Sequence, residues 1–388
     1  MFSIDVSWSS LNKHDEELCG DKVEMLYTPD SVVMILADGM GSGVKANILA
    51  TLTSRIFKTM FKEGASVDLA VETIMKTLPI CRERQVAYST FSILQVFYNG
   101  DAYLVEFDNP SCIFIRDNRI QNYPYEERIM EGKKIREYRF KVKIGDSFVL
   151  MSDGVVWAGT GEIMNYNWTW DEMAEYSRTC AGQTRSASRM AAMLSDMCNE
   201  LYGRHPGDDT TVCVMKIEER QMVNIFTGPP KNKEDDEYVV RSFMEAKGTK
   251  VVAGGTSSDI VARVLDREIT TNDDGNGTIP PTSNIAGLDL VLEGVVTLSR
   301  VLTLLKQYAR GDLTVEFFFE LDADNGASRL ARLLIEDCTD IHMFVGTAIN
   351  NAYLDKDVPF EYSMRMSLVK NLKKVAESIG KKVIVEYY

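Results

Sequence analysis

The chain has 388 residues, of which 45% are hydrophobic and 26% are charged, and its formal net charge is -14. This length is long for a single core, so two domains are expected, and the acidic balance argues against a nucleic-acid partner because most of the surface would repel a polyanion. No stretch approaches the roughly 20 apolar residues that a membrane helix needs, and the N-terminus lacks the basic start and apolar core of a signal peptide, so we expect a cytoplasmic protein with no membrane partner.

The first part of the chain alternates strand-like runs with turns and inserts long helices. Runs rich in β-branched and aromatic residues predict strands; they are FSIDVSWSS, VVMILAD, YSTFSILQVFYN, AYLVEFDN, CIFIRDNR, YRFKVKI, DSFVLMSD and TTVCVMKIE. Helical periodicity covers Lys45 to Phe61, Val67 to Thr77 and Ser186 to Tyr202. Consecutive strands joined by short turns predict an α+β domain over residues 1–219, with a layered, mostly antiparallel β-sandwich and flanking helices.

The pattern changes from Met222 onward, where strands and helices alternate. The order is MVNIF, a helix from about Glu234 to Ala246, KVVAGG, a helix after GGTSS, a long helical stretch over DLVLEGVVTLSRVLTLLKQYA, TVEFFFEL, another helix around Ser328 to Asp337, IHMFVGTAIN and a last helix and strand. This alternation predicts a separate α/β domain with a mostly parallel sheet over residues 222–388. The turn-rich segment Thr270 to Asn284 is predicted to be a mobile loop.

The spacing of the cysteines and histidines does not indicate a functional site. The seven cysteines occur singly without a C-x-x-C pair, which indicates neither a zinc site nor a disulfide framework. The three histidines, at positions 14, 205 and 342, are far apart in sequence. Catalysis is therefore expected to depend on carboxylates.

The stretch ILADGMGSG, residues 35–43, places one acid where a buried strand ends and a glycine turn begins. Glycine at every second position suits a tight turn around something small and charged. A dinucleotide-binding fingerprint is one interpretation, but Val44 stands where the third glycine of that motif belongs. In the other interpretation Asp38 is a metal ligand, which requires further acids elsewhere in the chain.

Three other stretches place acids at predicted strand ends. LCGDKVEM contains Asp21, DSFVLMSDGVV contains Asp153, and HPGDDTTVCVMKI contains Asp208 and Asp209. Each acid taken alone is better explained as part of a turn or cap. Together they can converge, and an all-oxygen ligand set suits Mg²⁺ or Mn²⁺. Two such ions can orient a hydroxide and stabilise an in-line displacement at phosphorus.

In order and context, these stretches resemble the PPM (PP2C-like) family of metal-dependent serine/threonine phosphatases, and within it the SpoIIE branch. The resemblance covers residues 1 to about 219 and rests on CGDKVEM, ILADGMGSGVKAN, AYSTFSILQV, GDSFVLMSDGV and GDDTTVCVMKI. It implies that Asp38 bridges two metal ions with help from the backbone carbonyl of Gly39. It also implies that Asp153 and Asp208 hold the second ion and that Asp21 acts on or near metal-bound water. Asp209 is not expected to touch a metal.

The chain departs from many eukaryotic family members in two places. Where they have DGHGG, with a histidine that is a candidate general acid, this chain has Met40, whose thioether cannot donate a proton. The SpoIIE branch shares this methionine, so a metal-bound water would have to protonate the leaving oxygen. No residue matches the arginine that grips the phosphate in those enzymes. Lys45 is the candidate for that role, with a solvated helix residue as the alternative.

Three stretches of the second domain are typical of ligand loops at strand ends, namely FTGPP, AGGTSSD and FVGTAINN. The GGTSS loop leads into a helix whose N-terminus could receive an anion; the alternative is that its serines only cap the helix. The expected ligand is a small anion or a phosphorylated metabolite. The candidate ligand residues are Gly254, Gly255, Thr256, Ser257, Gly346 and Thr347.

The leading hypothesis is a Mn²⁺- or Mg²⁺-dependent phosphatase that hydrolyses phosphoserine or phosphothreonine on a bacterial signalling protein by attack of a metal-bridging hydroxide. Regulation is expected from the C-terminal domain, and the resemblance points to a phosphorylated anti-sigma-factor antagonist as substrate. A homodimer is a further hypothesis for the partners of the chain. The alternative is a phosphatase-like scaffold that mainly binds a ligand or partner. A third hypothesis makes the C-terminal domain an enzyme, because it contains the unassigned polar residues Glu293, Asp322, Asp324 and Asn350.

Overall fold

The computed structural model describes residues 2–77, 89–130, 132–160, 168–275, 277–311, 313–348 and 358–388. The chain divides into two compact units, Met1–Glu219 and Arg220–Tyr388. Within the described residues, every helix is too short or too polar to cross a bilayer.

The first unit contains two antiparallel sheets. Its strands are β1 (Phe2–Leu11), β2 (Asp21–Tyr27), β3 (Ser31–Gly39), β4 (Ser89–Phe97), β5 (Asp101–Phe107), β6 (Ile113–Arg116), β7 (Arg119–Gln121), β8 (Glu126–Met130), β9 (Lys133–Lys141), β10 (Ser147–Met151) and β11 (Thr210–Glu219). One sheet has the strand order β1-β11-β10-β6-β7 and the other has the order β2-β3-β4-β5-β9-β8. A shared apolar core lies between them.

Helices cover the outer face of each sheet. They are α1 (Gly43–Lys62), α2 (Val67–Thr77), α3 (Asp153–Val156), α4 (Trp170–Gln183) and α5 (Ala187–Leu201). The α1 and α2 helices share an apolar cluster with the six-stranded sheet, and α4 and α5 share another with the five-stranded sheet. The predicted layered α+β class of this unit is confirmed.

Strand β3 shows why the run VVMIL leads into the acid at its end. Val33 and Ile35 pack toward α1, whereas Val32, Met34 and Leu36 point into the core between the sheets. Because successive side chains of a strand point to opposite faces, a strand buried on both faces is apolar at every position. Two hydrophobic layers therefore hold the carboxyl end of β3 in place.

Strand β2 alternates apolar residues with the charged Lys22 and Glu24, a strand pattern that the sequence prediction overlooked. Three further elements of this unit have no clear sequence pattern. Strands β7 and β8 are short and largely exposed. Helix α4 is polar overall and buries only a narrow face, although its N-cap Thr169 accepts a hydrogen bond from the Asp171 amide. These elements are specified by packing partners rather than by local periodicity.

The second unit is an α/β layer structure. Its strands are β12 (Met222–Thr227), β13 (Thr249–Ala253), β14 (Thr270–Thr271), β15 (Ser283–Asn284), β16 (Leu290–Leu292), β17 (Asp340–Val345) and β18 (Lys382–Tyr387). Its helices are α6 (Asp236–Glu245), α7 (Gly255–Leu265), α8 (Val295–Arg310), α9 (Val315–Leu321), α10 (Gly326–Arg332) and α11 (Val358–Ser378), with a 3-10 turn at Lys233–Asp235 and a π-turn at Leu333–Asp337. The sheet order is β14-β15-β16-β13-β12-β17-β18, parallel from β16 to β18 and antiparallel at the β14 edge. The predicted mostly parallel sheet is confirmed.

Two local predictions in this unit need correction, and the mobility predicted for the turn-rich segment stays a prediction. The first residues of DLVLEGVV form β16, and the helix begins only after Gly294, its N-cap. In the predicted alternation, the run TVEFFFEL takes the place of a strand. It forms helix α9 instead, because its buried residues Phe317, Phe318 and Leu321 lie on one helical face. The described part of the turn-rich segment is held by the β14–β15 pair and by Asp274, whose carboxylate accepts hydrogen bonds from the amide and hydroxyl of Thr282 at 2.7 and 2.6 Å.

Candidate metal centre

The predicted acids gather where strand ends of the two sheets meet. Asp21 begins β2 and is the direct cross-strand partner of Asp38 near the end of β3. Asp153 follows β10 as the first residue of α3, and Asp208 and Asp209 immediately precede β11. The end of β10 pairs with the start of β11. Each of the other four acids raises the pKa of Asp38 through its charge, so all five share one electrostatic environment.

Glycine is required where these backbones approach each other. A Cβ atom at Gly20 would lie 2.6 Å from Oδ2 of Asp209. At Gly39 and at Gly154 it would come within 3.0 Å of the backbone carbonyl oxygens of Ala46 and Asp209. Real Cβ atoms do not make such contacts, so a side chain at Gly20 would displace the Asp209 carboxylate, and one at Gly39 or Gly154 would displace the neighbouring backbone.

The DGMGSG loop turns the chain from β3 into α1. Gly41 and Gly43 have φ angles of +95° and +66°, in the left-handed region that favours glycine. Strand β3 pairs antiparallel with both β2 and β4. The loop therefore does not belong to the parallel βαβ unit that a dinucleotide fingerprint requires, and that interpretation is wrong.

Burial and mutual repulsion set the protonation of the two central acids. Burial is the larger cause that raises the pKa of Asp38 to about 9, followed by the charge of Asp21. Burial also raises the pKa of Asp21 to about 7, although the nearby hydroxyls of Ser152 and Thr211 favour its ionised form. Neither hydroxyl makes a hydrogen bond of standard geometry to Asp21, and neither carboxylate oxygen of Asp21 has a partner among the described residues. Buried polar atoms in native proteins are normally paired, so a ligand is expected here.

The other three acids differ in exposure: Asp153 is exposed, Asp208 is half-buried and Asp209 is buried. Burial and the charge of Asp208 raise the pKa of Asp153. Burial also raises the pKa of Asp208, while the Asp209 amide, which donates a hydrogen bond to it at 3.0 Å, and the charge of Lys13 oppose that shift. Asp209 is buried; its Oδ1 accepts a hydrogen bond from the Lys13 amide at 3.1 Å, and its Oδ2 has no partner among the described residues.

The donor set fits a divalent cation in its chemistry. It consists of carboxylate oxygens that repel one another, and Mg²⁺ and Mn²⁺ prefer oxygen ligands. In the described part of the chain, no three His, Cys, Asp or Glu side chains are already arranged around one point. A cation would have to draw the acids inward by removing their repulsion. In that case the strand ends would supply the ligands, and the ion would set their final positions.

The lysine predicted to bind phosphate is not the lysine that lies near the acids. Lys45 is exposed on the first turn of α1 and makes no hydrogen bond or ion pair within the described residues. Lys13, which sequence reasoning missed, is the cation whose charge reaches Asp208, and its amide holds Asp209. No sequence motif marks Lys13, because it lies in the connection between β1 and β2 and meets these acids only in the folded protein.

The candidate ligand residues of the second unit lie at the carboxyl ends of its parallel strands. Gly254 is the N-cap of α7 with a φ angle of +129°, and the Ser257 hydroxyl accepts a hydrogen bond from the Gly228 amide at 2.8 Å. The Gly346 amide donates a hydrogen bond to the carbonyl of Thr227 at 2.9 Å, and the Thr347 hydroxyl donates one to the Tyr388 carbonyl at 2.7 Å. Gly255 and Thr256 complete the first turn of α7. Residues 349–351 of the third loop lie outside the described residues.

The acids that suggested a second enzyme do not form a comparable cluster. Glu293, Asp322 and Asp324 are exposed. Asp322 pairs with Arg332 at 3.6 Å. Asn350 lies outside the described residues.

Residues 28–218 match the family model of stage II sporulation protein E (SpoIIE). Stage II sporulation protein E of Bacillus subtilis (strain 168) is 22% identical over 197 residues, which are 47% of this chain and 22% of that protein. The chain therefore spans under a quarter of that relative's length.

Solved structures of the same Bacillus subtilis protein are also similar. One contains its PP2C phosphatase domain with a fragment of the regulatory domain, with a TM-score of 0.50, 18% identity and coverage of 57% of this chain and 65% of that one. Another contains the phosphatase domain in a crystal form without domain swapping, with a TM-score of 0.44, 17% identity and coverage of 56% and 93%. The first structure supports the fold assignment.

The raised pKa values predict how stability depends on pH without divalent cations. An acid whose folded pKa exceeds its unfolded value, about 4, holds its proton more tightly when folded, so its contribution to the free energy of unfolding is present at low pH and is lost as pH rises through the folded pKa. In EDTA, the melting temperature of the wild type should fall between about pH 5 and pH 9 more than that of Asp38→Asn, which has no charge to bury. Excess MnCl2 should stabilise the wild type at high pH and the variant much less.

Thermal denaturation at both pH values checks this prediction. Asp15→Asn is the matched control, because the Asp15 side chain is 89% exposed and should retain the wild-type pH dependence. If Asp38→Asn also retained it, Asp38 would not be buried among like charges.

Proposed function

We propose that this chain, whose residues 28–218 form a SpoIIE-like segment of the PP2C phosphatase type, is a protein phosphatase that uses two divalent cations, Mn²⁺ or Mg²⁺. The observation that carries the proposal is the group of mutually repelling carboxylates from both sheets, of which Asp21 and Asp209 are buried, with both oxygens of Asp21 unpartnered within the described residues. A structural role would call for paired carboxylates. An oxygen-only cluster suits metal-assisted phosphoester hydrolysis.

Each residue has a distinct role in this proposal. Asp38, the carbonyl of Gly39, Asp153 and Asp208 would hold the cations. When bound, such ions make water a better nucleophile and stabilise the negative charge on phosphoryl oxygens. The unpartnered oxygens of Asp21 would orient the attacking water.

A cation is also needed to bind the phosphoryl group. The Lys13 ammonium, rather than that of Lys45, would bind a phosphoryl oxygen, since its charge already acts on Asp208. The proposed substrate is a phosphoserine or phosphothreonine of a bacterial signalling protein, with a phosphorylated anti-sigma-factor antagonist as the class that the SpoIIE resemblance suggests.

Activity should depend on Asp38 and on added metal. Asp38→Asn keeps the shape of the side chain but removes the charge shared by the ions, so hydrolysis of a phosphoserine peptide and of p-nitrophenyl phosphate should fall by about 10³-fold or more. Asp209→Asn should be much milder, because its Oδ1 already accepts the Lys13 amide. Steady-state assays with MnCl2, with MgCl2 and after EDTA treatment measure this.

Two results would contradict the assignment. Equal losses in the two variants would mean that Asp209 acts as a ligand like Asp38. Undiminished turnover in excess EDTA after metal removal would exclude the metal mechanism. A wild type that binds metal but hydrolyses neither substrate would favour the scaffold alternative.

We further propose that the second unit binds a small anionic ligand and regulates the phosphatase. From β12 the parallel sheet extends through β13 and β16 on one side and through β17 and β18 on the other. Open α/β sheets bind ligands beyond the strand carboxyl ends at such a reversal of strand order. Arg365 of α11 brings a positive charge to this edge, where its Nη2 donates to the carbonyls of Gly346 and Ala348 at 3.3 and 3.0 Å.

Substitution of Gly255 tests the ligand site. A Cβ atom there would lie 3.9 Å from Oε2 of Glu293, which is ordinary contact, so Gly255→Ala should fold and bind like the wild type. Gly255→Glu adds a second carboxylate beside Glu293 and should abolish thermal stabilisation by inorganic phosphate or nucleoside phosphates, while turnover without ligand stays within about threefold of the wild type. If none of these probes stabilises the wild type, or if the glutamate variant still responds, the proposal is wrong.

A further inference from the structure

Two of the three histidines, which are far apart in sequence, are neighbours in the folded protein. The ring centroids of His14 and His205 are 4.5 Å apart, with an angle of 81° between the ring planes. Both residues are exposed. The imidazoles therefore face solvent and are available to a substrate.

The loops that carry the two histidines are joined to each other and to the acids. The His14 amide donates a hydrogen bond to the Pro206 carbonyl at 2.8 Å, and the preceding Lys13 amide donates to Oδ1 of Asp209 at 3.1 Å. His205 lies on the short segment that leads into Asp208. Hydrogen bonds thus hold the histidine pair at the rim of the acid cluster.

A backbone hydrogen bond fixes which nitrogen of His205 can exchange a proton. Nδ1 of His205 lies 2.9 Å from the carbonyl oxygen of Gly203. Because a carbonyl can only accept, Nδ1 carries a hydrogen, and Nε2 is the ring nitrogen left to exchange a proton with a substrate. This hydrogen bond orients the ring and leaves Nε2 as the nitrogen that can donate a proton to a substrate.

The charged groups around the pair have both signs. Nε2 of His14 lies 3.5 Å from Oδ1 of Asp15. Lys13 precedes His14, and Arg204, which precedes His205, pairs with Glu200 at 2.7 Å. Asp208 adds negative charge three residues beyond His205.

The reaction needs a proton donor that the DGMGSG loop does not supply. Expulsion of a serine or threonine oxygen from phosphorus generates a strongly basic alkoxide unless a proton arrives with bond cleavage. Met40 cannot provide it, because a thioether has no acidic hydrogen. On the proposed phosphatase function, we infer that His205, supported by His14, is the general acid.

The step balances without a further reactant. As the oxygen of water bonds to phosphorus, the bond between phosphorus and the serine oxygen breaks, and its electron pair goes to that oxygen. The oxygen takes the proton from Nε2 of His205, which becomes neutral imidazole. The attacking water loses its proton to solvent, and His205 regains one from solvent, so the net products are a serine hydroxyl and inorganic phosphate.

Two substrates with different leaving groups test this role. A phosphoserine peptide needs a protonated leaving group, whereas p-nitrophenolate is a weak base and leaves without one. His205→Gln should lower kcat for the peptide by about 10²-fold or more and change kcat for p-nitrophenyl phosphate by less than about threefold.

Controls separate this role from a structural one. His342→Gln changes the third histidine, on β17 of the second unit, and should leave both substrates unaffected; thermal denaturation checks that each variant is folded. His14→Gln should lower peptide turnover less than His205→Gln. Equal losses on both substrates, or no loss on the peptide, would overturn the inference. If the wild type hydrolysed p-nitrophenyl phosphate without metal, the proposed metal-dependent function would be wrong, and the inference that rests on it would be wrong too.

Discussion

Electrostatic repulsion among closely placed carboxylates is the constraint on which the first unit depends. Pairing of β2 with β3 fixes Asp21 opposite Asp38, and close contacts leave no room for a Cβ atom at Gly20, Gly39 or Gly154. Such an arrangement lowers stability unless the acids are protonated or a cation is bound. The apolar layers on both faces of β3 offset this cost and keep the strand ends in register.

Hydrogen bonds between two loops also fix the chain around the acids, outside the sheets. The Asp209 carboxylate accepts the Lys13 amide, and the Pro206 carbonyl accepts the His14 amide. These bonds join the β1–β2 connection to the segment before β11, so a basic residue and two imidazoles reach the edge that carries the acids. Positive charge there reduces repulsion locally, as the effect of Lys13 on the pKa of Asp208 indicates.

The sequence allows prediction where local pattern and burial agree. The apolar run before Asp38 predicted β3 because both faces of that strand are buried, and the glycines after it predicted the turn into α1. The same reasoning failed where tertiary contacts decide. Strand β16 and helix α9 are short apolar runs whose type depends on what covers them. Lys13 and the pair His14 and His205 could not be found, since their proximity arises from loops distant in sequence.

The segment before β11 carries both the proposed proton donor and a proposed metal ligand, so the two groups move together. His205 and Asp208 lie on one short stretch of backbone, whose position is set by the hydrogen bonds to residues 13 and 14. In a site with the donor on the DGMGSG loop, the general acid would instead move with Asp38. Here, any displacement of the segment before β11 shifts a proposed metal ligand and the proposed proton donor together. Alignment of a phosphoester with the ions would then also align its leaving oxygen with Nε2, because one loop positions both groups.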